Sequence, residues 1–287
     1  MLQAVITGLL LGGLYALIGV GLSLIFGIVK VTNIAHGDLM IGATFFILVF
    51  SQSLVHNVFI ALAITIVIMA IIGVLIQKFL INKVIDQGAE SAMLVMFGLS
   101  IAIQNALTLI FGAGNNALDS PVKGTNFIKT SVVSVSGQYA VNFIVAIVLI
   151  VALSIIMDKT PLGRSIRASS SDTMAAELMG INTKNMYVWA MAITMAATAV
   201  AGMLVGQTYS FFPYTGTQFL IVAFGVVVIG GMGSIFGTLI GGAILGLSQM
   251  IAAFLFGTAY QTLAGYIVLL ILLTIRPQGL LSKKIRK

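Results

Sequence analysis

The chain has 287 residues, of which 60% are hydrophobic and only 7% charged, with a net charge of +7 and no cysteine. Soluble domains carry about a quarter charged residues, so this composition excludes an ordinary soluble enzyme and describes an integral membrane protein. Without cysteine there are no disulfides and no thiolate metal sites. A basic excess in such a chain is lysine and arginine held on the cytoplasmic side, not a sign of nucleic-acid binding.

Hydropathy divides the chain into apolar segments at about 2–29, 38–54, 58–79, 91–112, 138–157, 186–209, 218–233, 236–256 and 259–275. A helix needs roughly 20 residues to cross about 30 Å of hydrocarbon, and most of these segments supply them. The runs are continuously apolar and do not alternate, which argues against a β-barrel. The expected fold is therefore all-α: a polytopic transmembrane helical bundle of eight or nine spans in one transmembrane domain over 1–287. No positive n-region precedes the first segment, which reads as a retained span and not a signal peptide. Segments 38–54 and 218–233 are short, and each either crosses fully or forms a discontinuous half-helix that turns back inside protein.

The first break is VTNIAHGDLM, residues 31–40, where Asn33, His36, Gly37 and Asp38 interrupt the apolar pattern. Two readings stand. Asp38 caps the next helix, since an Asp at a helix start accepts backbone N–H bonds, or it lines a transport pathway, since ionisable groups in a membrane face a bundle interior or water. Either way the sequence places a polar break at the inner mouth of a pathway. His36 is no metal site, because the only other histidine is His56.

Further along, residues 113–137 form the one sizeable external loop, with Asp119, Pro121, Lys123 and Gly124 before a Ser/Thr/Val-rich stretch. The stretch 158–185 is a long cytoplasmic connection. In it Ser171 or Asp172 caps a short helix through TMAAEL, Gly180 stops that helix, and Leu178, Met179 and Ile181 form an apolar knob that needs a protein socket. At VVVIGGMGSIFG, residues 226–237, Gly230, Gly231 and Gly233 permit unwound backbone and Ser234 caps the helix beyond them. The preferred geometry is a tight turn, with pathway lining as a secondary role, because paired helix breaks mark substrate sites in transporters. Glycines at small-xxx-small spacing, such as Gly8 and Gly12 or Gly242 and Gly246, point to close helix packing.

Positive charge sets the orientation. Lys78 and Lys83, then Lys159, Arg164, Arg167 and Lys184, then Lys283, Lys284, Arg286 and Lys287 in the basic tail 276–287 belong on the cytoplasmic side. That places the C-terminus inside and the N-terminus outside. There is no GxxxxGK[ST], HExxH or GxSxG with a triad, so no catalytic residue, cofactor or metal is expected.

Four stretches in order, 13–43, 160–183, 201–206 and 228–246, together resemble the LivH-type permease family of bacterial ABC importers for branched-chain amino acids, and the likeness runs from about residue 8 to 281. The resemblance implies a permease subunit in the inner membrane. Its partners would be a second related permease, two cytoplasmic ATP-binding subunits and an external substrate-binding protein, with membrane lipid around the bundle. It also implies that SDTMAAELMGI is the coupling helix, with Glu177, Leu178, Met179, Gly180 and Ile181 in a groove of the ATPase, and that transport proceeds by alternating access. Where the family often has Glu after the His-Gly pair, this chain has Asp38, a carboxylate one methylene shorter. Related permeases serve urea, amides or sugars, and an ion-coupled secondary transporter is a further alternative.

Overall fold

A computed structural model describes residues 1–122, 124–129, 134–276 and 278–281. The helices are α1 (Leu2–Val29), α2 (His36–Val49), α3 (Val58–Ile76), α4 (Asn82–Val84), α5 (Ala89–Phe111), α6 (Gly137–Lys159), α7 (Pro161–Ser171), α8 (Thr173–Leu178), α9 (Thr183–Thr208), α10 (Gly216–Gly230), α11 (Ile235–Phe256) and α12 (Gln261–Ile275). Between α5 and α6 lies a hairpin of β1 (Asn126–Lys129) and β2 (Ser134–Ser136), antiparallel with Asn126 opposite Ser136 and Lys129 opposite Ser134. Among the described residues nine helical stretches are long and apolar enough to cross a membrane. All nine apolar segments of the sequence are helical. Lipid offers no partner to backbone N–H and C=O groups, so a spanning segment must satisfy them within its own helix. Lys123 and the basic residues of the tail, from Lys283 onward, lie outside the described residues.

The chain divides into two units. One comprises Met1–Ser23, Asp119–Ile150 and Ile221–Lys287; the other comprises Leu24–Leu118 and Val151–Leu220. In the first unit α1 packs on α11 at backbone distance. A β-carbon added to Gly12 would lie 2.6 Å from Ala243 Cα, closer than side chains approach. One turn on, the Tyr15 hydroxyl donates to Gln249 Oε1 at 2.5 Å, so the apolar seam carries one satisfied polar pair. The turn between α10 and α11 uses Gly231 at φ +105° and Gly233 at φ +82°, values that only glycine adopts without strain. Ser234 then caps α11 by accepting from Gly237 N–H at 3.0 Å. The chain near the described C-terminal end returns to this turn, where Leu280 and Leu281 donate to the carbonyls of Ile229 and Gly230.

In the second unit α9 is the central post. Most of its residues from Tyr187 to Gly206 are buried, with α3 and α2 against it. Gly202 admits the backbone of α2, and the Thr44 hydroxyl donates to Gly202 O at 2.9 Å. Phe45 is fully buried, stacked on Phe111 at 4.5 Å and edge-on to Phe211 at 5.1 Å.

The glycine seam predicts a measurable cost. Gly12→Val overpacks the α1–α11 contact and should destabilise the protein by about 1–3 kcal/mol, seen as a lower thermal midpoint in detergent. Gly98→Ala on α5, where an added β-carbon meets nothing within 4 Å, should leave the midpoint unchanged. Equal midpoints for Gly12→Val and the unaltered chain would refute the close-packed seam.

Candidate functional site

Helix α1 ends at Lys30, which takes the left-handed φ of +58° usually left to glycine at a helix C-terminus. Lys30 shares a cavity with Asp86, just before α5 begins. Residues 31–35 are then non-helical, and Val31, Asn33 and Ala35 are buried. Irregular backbone at membrane depth is tolerated only when protein covers it, as here. The segment closes in a turn, with His36 N–H donating to Asn33 O at 3.2 Å, and α2 starts beside the middle of α5.

The contacts of Asp38 place that start. Asp38 is 1% exposed, and its Oδ2 accepts from the Ser100 hydroxyl at 2.5 Å while its Oδ1 accepts from Gln104 Nε2 at 2.9 Å. Ser100 and Gln104 are one helical turn apart near the midpoint of α5. A 23-residue helix is roughly 35 Å long, about the thickness of a bilayer, so the contact lies half-way along a membrane-length helix. One expectation is corrected. Asp38 does not cap α2, because the cap position falls on Ala35, which offers no side-chain acceptor, and Asp38 sits in the first turn with its carboxylate turned across to α5.

A second helix begins at the same place. After α9 the chain runs through Phe211, which exchanges two 2.8 Å backbone hydrogen bonds with Asn116, and through a short 3₁₀ turn at Pro213–Thr215. Helix α10 then opens with Gly216. A β-carbon on Gly37 would strike Gly216 O, and one on Gly216 would strike Asp38 Oδ1 and lie 2.8 Å from Asp38 N. The first turns of α2 and α10 thus touch backbone to backbone, and Gln104 Nε2 also donates to Thr217 Oγ1 at 3.2 Å. Both helix N-termini, with their partial positive charge, face the Asp38 carboxylate.

The structure brings Gly37 and Asp38 together with Ser100, Gln104, Gly216 and Thr217. It does not bring Gly230, Gly231, Gly233 and Ser234 there, since they lie beyond the opposite end of α10. The tight turn expected at Gly230, Gly231 and Gly233, with Ser234 as cap, is present. The start of α10 was also signalled, by Pro213 and Gly216 at the head of a short apolar segment, the Pro-at-first-turn signature. His36 is buried, and Asn33 is buried with neither amide atom hydrogen-bonded. Among the described residues no group of His, Asp and Glu gathers as for a metal ion.

The loop helix is built as expected, with an addition. Asp172 Oδ1 accepts from Ala175 N–H at 3.0 Å, capping α8. Gly180, at φ +82°, donates to Glu177 O, and Ile181 donates to Ala176 O at 3.0 Å, closing the helix. Leu178 and Met179 are each 83% exposed. Glu177 accepts from the Thr183 hydroxyl at 2.5 Å, and Lys184 pairs with Asp86 at 2.7 Å. Val29, Lys30, Asp86, Thr173, Glu177 and Tyr187 are among the residues around a cavity of about 240 Å³, which joins the back of α8 to the end of α1. Helix α7 is the addition. Its serine-rich sequence hides it, although Thr160, which caps Gly163 N–H at 3.0 Å, and Pro161 mark its start.

Nine membrane-length helices among the described residues, two of them beginning in contact around shared polar groups, have the architecture of a polytopic helical permease. The chain belongs to the family described as branched-chain amino acid transport system / permease component, whose profile matches residues 4–275. It is 32% identical to the high-affinity branched-chain amino acid transport system permease protein LivH of Escherichia coli K12, over 98% of this chain and 96% of that one. It is 30% identical to BraD, the corresponding permease of Pseudomonas aeruginosa, over the same shares. The ribose import permease RbsC of Haemophilus influenzae is 29% identical over 62% of this chain and 55% of its own length. No solved structure matches.

The junction yields a graded prediction. Asp38→Ala removes both acceptors and should lower stability by about 1–3 kcal/mol, with Asp38→Asn intermediate. Gly37→Ala should also lower the thermal midpoint, whereas Gly42→Ala in the same helix, with nothing near its β-carbon, should not. An Asp38→Ala protein as stable as the unaltered chain would show that the carboxylate does not hold the junction.

Proposed function

We propose that this chain is a permease subunit of an ATP-driven importer in the bacterial cytoplasmic membrane, passing branched-chain amino acids delivered by an external binding protein. It works beside a second related permease and on two cytoplasmic ATPase subunits. The likeness to LivH and BraD, both permeases for branched-chain amino acids, supports the solute class. The observation that carries the ATPase coupling is α8. A six-residue helix closed at both ends by hydrogen bonds, with Leu178 and Met179 bare, is a preformed knob for a groove on another protein. Glu177, Leu178, Met179, Gly180 and Ile181 are its contact residues.

The knob sits at the end of the second unit that carries Lys30 and Lys184 as well as Asp86 and Glu177. By the positive-inside rule that end is cytoplasmic, which places Met1 outside. Alternating access follows from the connections of α8. Closure of the ATPases displaces α8, and its back face adjoins the end of α1, from which residues 30–35 lead to the α2–α10 junction. Asn33, in the middle of that segment, has a buried amide with unused hydrogen-bonding capacity. A second arrangement of the segment can employ it.

Leu178→Asp tests this. Burying a leucine is worth about 1.5–3 kcal/mol, so the variant should insert and keep its thermal midpoint but lose ATPase co-purification by roughly tenfold or more, with leucine uptake falling in parallel. Unchanged co-purification and uptake would remove α8 from the ATPase contact.

A further inference from the structure

The polar groups at the α2–α10 junction do not stop at the protein surface. Gln104 is half-buried, while Asn105 beside it on α5, and Tyr214, Thr217 and Gln218 at the head of α10, are exposed. Gln104 and Thr217 are hydrogen-bonded, so α5 and α10 contribute to one patch, at the level of the α5 midpoint. Lipid at that depth cannot hydrogen-bond, and each unsatisfied amide or hydroxyl there costs several kcal/mol. A lipid-facing surface looks different: α3 exposes Phe59, Ile60, Val67, Ile71 and Leu75.

The chemistry of the patch is as informative as its position. Residues 91–118 and 185–275 contain no Asp, Glu, Lys or Arg, so α5 below its first turn and all of α10 offer only neutral dipoles. Amides and hydroxyls both donate and accept, and can therefore exchange partners with water and with either end of a zwitterion. Asp38 sets the polarity of one of them. Gln104 Nε2 donates to Asp38 Oδ1 and to Thr217 Oγ1, which uses both amide hydrogens within the protein and leaves the carbonyl oxygen as an acceptor. An ammonium group is the natural donor to it. Asn105, whose Nδ2 donates only within its own helix to Ile101 O at 2.8 Å, and Gln218 supply N–H groups suited to a carboxylate.

We propose that Gln104, Asn105, Thr217 and Gln218 line the water-filled translocation pathway at mid-membrane and form a transient station for the ammonium and carboxylate of an amino acid. Asp38 acts behind them as a positioning residue for Gln104, not as a substrate ligand. This rests on the permease reading above and names the groups that meet the solute.

The chain has no cysteine, so a single cysteine introduced into it is the one labelling site on its own band when the subunits are separated after reaction. In the complete transporter reconstituted in liposomes, Asn105→Cys, Gln218→Cys and, as the lipid-facing control, Val67→Cys are treated with a charged, membrane-impermeant methanethiosulfonate. Leucine uptake is measured before labelling on the unaltered complex and on Val67→Cys, and the residual uptake of each patch variant is recorded as its own baseline. Only a thiolate in water reacts, so the two patch cysteines should label on the order of tenfold or more faster than Val67→Cys. Leucine supplied with binding protein and ATP should slow that labelling, and the modification should block uptake. Labelling as slow as Val67→Cys would place the patch against lipid. Labelling that is fast only when the second permease is omitted would place it in a dry interface between permeases. Fast labelling indifferent to leucine would leave water but no station. Each of these three results overturns the proposal while normal leucine uptake by the unaltered and Val67→Cys complexes leaves the permease reading standing; absent uptake in the unaltered, well-assembled complex fails that reading instead.

Discussion

Two helix N-termini, each carrying about half a positive charge, meet in backbone contact where α2 and α10 begin, and the Asp38 carboxylate lies against both. Without a negative group between them, the two ends would repel at the depth where solvent screening is weakest. Glycine at 37 and 216 permits the approach, and Ser100 and Gln104 satisfy the carboxylate from the side. The rest of the second unit accommodates this junction. Two short helices start at this junction, so two stretches of non-helical backbone lead into it: residues 31–35, where Val31, Asn33 and Ala35 are buried, and the run in which Phe211 and Pro213 are buried. Much of the broken backbone is thus covered by protein, as irregular backbone in a membrane requires.

The same construction makes the junction mechanically accessible. Residues 30–35 have no helical hydrogen-bond ladder, a left-handed residue at one end and Asn33 unsatisfied in the middle, so this stretch is less firmly held than the helices it joins. One end of it borders the cavity behind α8, and the other end is the first turn of α2. On the proposed coupling, a displacement of α8 would act across this cavity on the end of α1 and so on a tether of half a dozen residues. Thr183–Glu177 and Lys184–Asp86 tie α8 and α9 to the segment after α4.

The legibility of each feature in the sequence depends on how locally its forces act. Membrane-length helices are dictated by hydropathy, and all nine segments were legible to within a few residues. Caps are equally local: Asp172, Ser234 and the Gly180 stop require only a residue type at a helix boundary. The role of Asp38 was not legible, because its partners, Ser100 and Gln104, are some sixty residues away and carry no charge to advertise the pairing. The turn at Gly230, Gly231 and Gly233 was legible because a glycine cluster before a capping serine is a local signal. The junction glycines, Gly37 and Gly216, were not, because their meaning comes from the backbone each touches. Helix α7 was missed because four serines in eleven residues suppress helix propensity, and tertiary packing of Gly163 on the backbone of α6 overrides it.

A transport route must bind its solute well enough to admit it and weakly enough to let it leave. A carboxylate standing in the route would hold an ammonium group by several kcal/mol in a low-dielectric setting and slow its exit. This chain keeps its Asp38 carboxylate 1% exposed, its oxygens engaged by Ser100 and Gln104. The charge organises the helices and orients the Gln104 amide. On the proposed pathway, a solute that is neutral overall would meet only dipoles there, which would suit a subunit that receives an already selected molecule and leave selectivity for the side chain to whatever delivers it.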